Sequence, residues 1–349
     1  MNNKLVILRV RFNEFFMHWY HYGFRYAANG LLWWICFYFR TPLSWRFSSI
    51  ALKNKTKFLD KYISNHYSEI VNRYCSRNTI TTNRLTAKER IWVFWGQGKD
   101  AMPPLVLACY KQLIHFNDNV TLLTNENVSD YVSLPPIIYF KVRNRQLSWA
   151  HYSDILRNTL LAKHGGMWLD ATVWVSGKVP LERFDTPIYS PYGTIPITKK
   201  SICFWTSLQW NWSTWCMWSR ETEHPLYSFV SEMLLAIAEN EKCWPDYVLQ
   251  DYLIYYACRY IPEVRIDLER KTLKNEHRND LASLMNMDFD ILRYRELTNT
   301  DNFFKLSFRS TWNKKTRMGK QTFYGRILAG IIDVNDSSDK MFCNDYTKK

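Results

Sequence analysis

Apolar positions change pattern along the chain, and each pattern predicts a different kind of element. Near the start, Phe12, Phe15, Phe16, Trp19 and Phe24 recur at helical spacing, with Arg11, Glu14, His18, His21 and Arg25 on the other side. That arrangement predicts an amphipathic helix. The uncharged run from Tyr26 to Phe39 follows, and its 14 residues would rise only about 21 Å as a helix against a hydrocarbon core of roughly 30 Å. It is expected to meet a membrane interface rather than to span a bilayer.

From residue 90 onward the patterns alternate. Ile91 to Trp95 reads as a buried strand ended by Gly96 and Gly98, and Met102 to Phe116 as a helix opened by Pro103-Pro104. Val120 to Thr124 predicts a second strand, and Ile137 to Phe140, introduced by Pro135-Pro136, a short third one. Residues 150 to 164 have helical spacing, Gly165-Gly166 stops that helix, and Met167 to Leu169 is a strand. Tyr247 to Tyr256 is a further apolar helix. Alternating strands and helices predict an α/β sheet with ligands at the carboxyl ends of its strands.

Charge divides the chain in the same place. Of a formal net charge of +14, residues 1 to 90 carry +11 and the remaining residues +3. The expected organisation is therefore a basic helical segment over 1–87, a catalytic domain over 88–330 and a tail over 331–349, with a chain starting near Thr86 folding alone. A basic amphipathic segment with Trp and Phe on its apolar face suits an anionic membrane surface, and Lys53, Lys55, Lys57 and Lys61 add a basic cluster. Packing as a helical cap on the main domain is the alternative. Nucleic acid attracts the same charge, but is not the expected partner. Aromatic residues make up 17% of the chain, which serves sugar stacking, membrane interfaces and apolar cores alike.

The 8 cysteines include no CxxC pair and no zinc-type Cys/His spacing, as expected in a reducing compartment. Arg9, Arg11, Glu14 and Arg25 interrupt any secretory signal. The expected location is the cytoplasmic face of the inner membrane, with peripheral attachment.

Candidate chemistry concentrates in residues 149–175, WAHYSDILRNTLLAKHGGMWLDATVWV. Helix from Asp154 to His164 advances about 15 Å and strand from Gly166 to Asp170 returns about 13 Å. Asp154 and Asp170 should therefore meet at one sheet edge, with Arg157 at i+3 from Asp154 on the same helix face. Such a cluster suits a nucleotide-sugar, Asp170 facing a cation on the diphosphate and Asp154 and Arg157 facing sugar hydroxyls. The same spacing also describes a surface ion pair followed by a loop-capping Asp.

Downstream, Phe204 to Trp218 holds Trp205, Trp210, Trp212, Trp215 and Trp218, read as an acceptor-stacking wall, core packing or membrane contact. Asp251 sits among aromatics and must find a partner, which makes it a candidate for acceptor or donor-sugar contact. Lys305-Leu306-Ser307 is read as a loop closing over the diphosphate, Lys305 offsetting developing charge, or as a basic strand end.

Taken together, IWVFWGQG, MPPLVLACYKQL, LLTNENVSDYVSLP, SDILRNTLLAKHGGMWLDATV and KLSFR resemble the bacterial capsular polysaccharide synthesis proteins. These are similar to glycosyltransferase family 32 and the glucosylating domains of large clostridial toxins. The resemblance covers roughly residues 88 to 310. It implies a GT-A-like nucleotide-sugar-binding fold, a nucleotide-sugar donor, a divalent cation (Mn²⁺ or Mg²⁺) and retention of anomeric configuration. It further implies that Trp95, beside Gly96, stacks on the donor base, that Asp154 and Arg157 grip the donor sugar, and that Asp170 is the first aspartate of a D-x-D metal motif. Thr172 stands where that motif has its second aspartate. His224-Pro225-Leu226 resembles the family's helix-starting His-Pro.

The expected activity is transfer of a sugar to a growing cell-surface polysaccharide or lipid-linked oligosaccharide. A non-enzymatic basic binding protein and a sugar-phosphate transferase are the alternatives. No P-loop is present in the sequence.

Overall fold

The computed structural model describes residues 3–39, 42–76, 84–184, 186–193, 212–270 and 274–333. Four helices come first: α1 (Asn3–Tyr22), α2 (Phe24–Phe39), α3 (Pro42–His66) and α4 (Ser68–Cys75). The alternating part follows with β1 (Ile91–Phe94), α5 (Pro104–Phe116), β2 (Val120–Leu123), α6 (Pro136–Arg143), α7 (Trp149–His164), β3 (Gly166–Leu169), β4 (Val173–Val175), β5 (Ile188–Tyr189) and β6 (Cys216–Ser219). The remainder is mostly helical: α8 (Pro225–Asn240), α9 (Leu249–Tyr260), α10 (Pro262–Glu269), α11 (Asp280–Leu284), α12 (Ile291–Thr300), β7 (Phe303–Lys305) and α13 (Phe323–Ala329).

The main sheet has the order β2-β1-β3-β6-β5, parallel across β2, β1 and β3 and antiparallel from β3 to β6 and β6 to β5. Strand alternation sends Trp92 and Trp168 into the core beneath α7, α8 and α9, and Ile91, Val93, Met167 and Leu169 into a second core on the opposite face. After β3 the chain leaves this sheet. It enters a two-stranded antiparallel sheet in which Val173, Trp174 and Val175 of β4 pair with Lys305, Phe304 and Phe303 of β7.

Two glycines make the turn from α7 into β3 possible. Gly165 and Gly166 have φ of +61° and +83°, and a Cβ on Gly166 would meet the Arg90 carbonyl oxygen at 2.5 Å. Only glycine accepts that conformation and lets β3 start this close to β1.

One expected strand is a helix. Ile137 to Phe140 lies in α6, because Pro136 occupies the first helical turn and Ile138 and Val142, four apart, face the core while Ile137 and Phe140 stay exposed. The expected single helix through Phe24 is broken at Gly23, whose φ is +89°. Trp205, Trp210 and the tail from Asp336 lie outside the described residues. Trp212 and Trp218 are core residues, 4% exposed each, so they are not part of a stacking wall.

The N-terminal helices have two faces. Phe12, Phe16, Trp19 and Phe24 are exposed, while Tyr22 and Tyr26 are buried against the segment before α9, where the Tyr26 hydroxyl donates to the Pro245 carbonyl at 2.7 Å. Lys55 is drawn inward to pair with Asp246, whereas Lys53, Lys57 and Lys61 are exposed. Among the described residues, no helix is long and apolar enough to cross a membrane. Helices α3 and α4 and the residue between them contribute Leu59, Ile63, Tyr74 and Tyr67 to the same core as Phe229, Tyr252 and Tyr256, and Arg259 donates to Asp60 at 3.0 Å.

This packing reverses the expectation for a chain starting near Thr86. Deleting residues 1–85 uncovers the faces of α8 and α9 that those four side chains cover, each worth roughly 1.5–3 kcal/mol of apolar burial. The truncated chain is expected to aggregate or lose its cooperative melting transition, measured by size-exclusion chromatography and calorimetry beside the full chain.

Candidate functional site

Helix α7 and strand β3 place the first three charged groups. Ser148 caps α7, accepting from the His151 amide at 3.1 Å, and the helix carries Asp154 and Arg157 on one face. Strand β3 delivers Asp170 at its carboxyl end, where the Asp170 amide donates to the Trp215 carbonyl at 2.8 Å and so extends the pairing with β6 by one more bond.

Arg157 is fixed from several directions. Its guanidinium donates to the Thr214 carbonyl at 2.6 Å, to the Ser153 hydroxyl at 3.1 Å and to Asp170 Oδ1 at 3.2 Å. It also lies 3.5 Å from Asp154 Oδ1 and 5.2 Å from the centre of the Trp168 ring. The expected meeting of Asp154, Arg157 and Asp170 is thus present in the fold, with Arg157 between the two carboxylates.

Asp170 has further partners that spacing did not reveal. The Trp168 indole donates to Oδ1 at 3.0 Å, and the Lys305 ammonium donates to Oδ2 at 2.7 Å and to the Thr172 hydroxyl at 2.9 Å. Trp168 had a legible signal, since W-x-D in a strand puts both side chains on one face. Lys305 had none in its neighbourhood: it reaches Asp170 because β7 pairs with β4 in a register that sets Lys305 opposite Val173. It lies at a strand end rather than in a closing loop.

Trp95 and Ser307 flank this cluster. Trp95 continues β1, its indole donates to the Ala101 carbonyl at 3.3 Å, and its ring meets Phe308 edge-on at 5.7 Å. The end of β1 and the segment after β7 are therefore neighbours. Gly96 lies close to the Asn125 side chain, whose amide oxygen would be 2.7 Å from a Cβ at that position. The Ser307 carbonyl accepts from the Trp312 indole at 3.0 Å.

The three carboxylates have different electrostatic environments. Burial pushes Asp154 up to about 7 although Arg157 opposes it. Burial, with Asp154 as a like charge, also pushes Asp251 up to about 7, so Asp251, in the first turn of α9, interacts with the α7 carboxylate. Burial acts on Asp170 too, but Lys305 and Arg157 outweigh it and hold its carboxyl below the usual range. Asp170 is the fixed anion of the site, and Asp154 and Asp251 are the groups that exchange protons near neutral pH.

A divalent cation fits these residues poorly. Such ions take several oxygen ligands, including one or two carboxylates with free lone pairs beside waters and substrate phosphates. Here Asp170 is the sole carboxylate of the D-A-T segment, both its oxygens accept from cationic or indole N–H groups, and the Thr172 hydroxyl is bonded to Lys305.

Among the described residues, His224, Glu263 and Asp267 have ligand-type atoms within 4.8 Å of one another. Each has structural work: His224 accepts from the Leu226 amide at 3.2 Å, capping α8, and contacts Asp267 at 3.1 Å, while Glu263 pairs with Arg84 at 2.9 Å. The His-Pro pair is a buried helix cap.

Residues 43–327 match the family model described as capsular polysaccharide synthesis protein. No curated protein matches the chain in sequence. Among solved structures, one titled PaToxG Glycosyltransferase superposes with a TM-score of 0.38 at 12% identity, over 70% of this chain and 87% of that one.

The raised carboxyls set a pH dependence. Folded, Asp154 and Asp251 keep their protons to about 7, against a reference of 3.8. The folded state then binds more protons than the unfolded one between those values, and stability falls as pH rises through that window. Melting temperature is expected to decline from about pH 4 to about pH 7, and Asp154→Asn and Asp251→Asn should each flatten the decline, as read by calorimetry across that range.

Proposed function

The chain belongs to the capsular polysaccharide synthesis protein family, and on that premise we propose that it is a glycosyltransferase using a nucleotide-sugar donor. The observation that carries this reading is the convergence of Asp154, Arg157, Asp170 and Lys305 at the carboxyl end of β3, where ligands of α/β sheets bind. A buried guanidinium and a partly exposed ammonium beside carboxyls that titrate near neutral pH suit a diphosphate joined to a polyhydroxylated ring.

In the proposed GT-A-like arrangement, Trp95 stacks on the base, Arg157 and Lys305 face the diphosphate, with Gly96 and Ser307 alongside, and Asp154 accepts from sugar hydroxyls. The bond between the anomeric carbon and the β-phosphate oxygen breaks, and its electron pair leaves with the nucleoside diphosphate. An acceptor hydroxyl oxygen bonds the anomeric carbon, and its proton ends on the departing diphosphate, a course compatible with retention. Asp251 faces the acceptor or the donor sugar, where its carboxyl orients a hydroxyl.

The acceptor is proposed to be the growing cell-surface polysaccharide or its lipid-linked precursor, met at the cytoplasmic face of the membrane. The exposed Phe12, Phe16, Trp19 and Phe24 support this, since aromatic rings on a basic amphipathic helix bury into a headgroup layer. Behind that face a cavity of about 160 Å³ is lined by Phe15, Trp33, Trp34, Lys55, Asp246 and Tyr252, next in the chain to Asp251.

Two measurements check the reading. Incubation with a panel of nucleotide-sugars is expected to release nucleoside diphosphate from one of them, and Asp170→Asn should lower turnover by about 100-fold or more. Release of nucleoside monophosphate would instead identify a sugar-phosphate transferase. The triple variant Phe16→Ser, Trp19→Ser, Phe24→Ser should lose sedimentation with phosphatidylglycerol vesicles while keeping a cooperative melting transition, because those half-exposed rings pack on one another and on Phe15 rather than in the main core. Unchanged sedimentation would place membrane contact elsewhere.

A further inference from the structure

The site contains a cation of its own where the D-x-D pattern would place a metal. The Lys305 ammonium lies between the two side chains of that segment, 2.7 Å from Asp170 Oδ2 and 2.9 Å from the Thr172 hydroxyl. Its position is set by the backbone. Val173 pairs with Lys305 across β4 and β7, the Leu306 amide donates to the Thr172 carbonyl at 3.1 Å, and the Lys305 amide donates to the Arg278 carbonyl at 2.8 Å.

A divalent ion would have to displace this ammonium or stand beside it. Displacement would leave one carboxylate, already shared with Arg157 and Trp168, and one neutral hydroxyl as ligands. Standing beside it would put a double positive charge a few ångströms from two cations that already share the one carboxylate able to offset it. The replacement of the second aspartate by Thr172 is coherent with this arrangement, because a hydroxyl can accept from an ammonium without adding a negative charge.

We infer that Lys305, with Arg157, takes the place of the divalent cation, so that this chain binds the diphosphate of its donor and transfers the sugar without a metal. The inference rests on the glycosyltransferase reading and deepens it. An ammonium has three N–H groups. Two go to Asp170 and Thr172, and 28% of the side chain is exposed, which leaves the third able to meet a diphosphate oxygen. Lysine acts here as a point charge on phosphate. As the anomeric bond breaks, charge grows on the β-phosphate, and the ammonium and guanidinium offset it from fixed positions.

The test uses the full-length protein and needs no acceptor. UDP, GDP, ADP and CDP are titrated by calorimetry in EDTA and in excess MnCl₂, and Mn²⁺ binding is followed separately by electron paramagnetic resonance. The nucleotide that binds is expected to do so equally in both buffers, with no Mn²⁺ bound stoichiometrically. Lys305→Ala should weaken it in EDTA by about 10-fold or more, the loss of one charge-assisted contact. Adding Thr172→Asp to Lys305→Ala supplies the missing carboxylate and should create Mn²⁺ binding together with Mn²⁺-dependent nucleotide affinity. Stoichiometric Mn²⁺ binding by the wild type, with nucleotide released on chelation, would overturn the inference and leave the glycosyltransferase reading standing. Wild-type affinity in EDTA for Lys305→Ala, or for Lys305→Gln should the alanine variant not fold, would also overturn it. Absence of binding by all four nucleotides in both buffers would remove the donor reading itself.

Discussion

A single carboxylate held between two cations organises this protein. Asp170 accepts from Arg157 on one oxygen and from Lys305 on the other, and those groups come from three separated stretches of chain. Isolated burial of any of them would cost several kcal/mol. Each therefore requires the others, and the elements that carry them must be held in register. The cap on α7, the Gly165-Gly166 turn, the parallel pairing of β1 with β3 and the antiparallel pairing of β4 with β7 all bear on that one constraint.

Around the fixed anion the other acidic groups behave differently for a physical reason. Asp154 shares Arg157 with Asp170 and receives a smaller part of its field, and at Asp251 the like charge of Asp154 outweighs the opposing pull of Arg157. Burial then dominates and both hold protons near neutrality. To the proposed donor such a site offers fixed positive charge for the diphosphate and carboxyls that accept from or donate to its hydroxyls.

The N-terminal helices show how a basic, aromatic segment serves two surfaces. Tyr22 and Tyr26 bury their rings and spend their hydroxyls on backbone carbonyls, while Phe12, Phe16, Trp19 and Phe24 face outward. Domain packing uses one face of these helices, and the exposed aromatic face is the one proposed for membrane contact. Helices α3 and α4 then join the main core, so the sharp change of charge near residue 90 marks a change of surface and not a boundary between cores.

What the sequence determined by itself was most of what depends on short-range periodicity. The strand at Ile91, the helix at residues 150–164, the Gly-Gly stop and the approach of Asp154 to Asp170 follow from rises per residue and from side-chain direction, and the structure has them. The misread segment, Ile137 to Phe140, was too short for apolar residues to distinguish strand from helix, and Pro136 with the four-residue spacing of Ile138 and Val142 decided it. Tertiary structure alone decided that Lys305 reaches Asp170 and Thr172, and that Trp212 and Trp218 are buried. Those outcomes depend on which strand pairs with which and in what register, a choice made by the whole core. No window of sequence around residue 170 contains the residue 135 positions away that completes its charge.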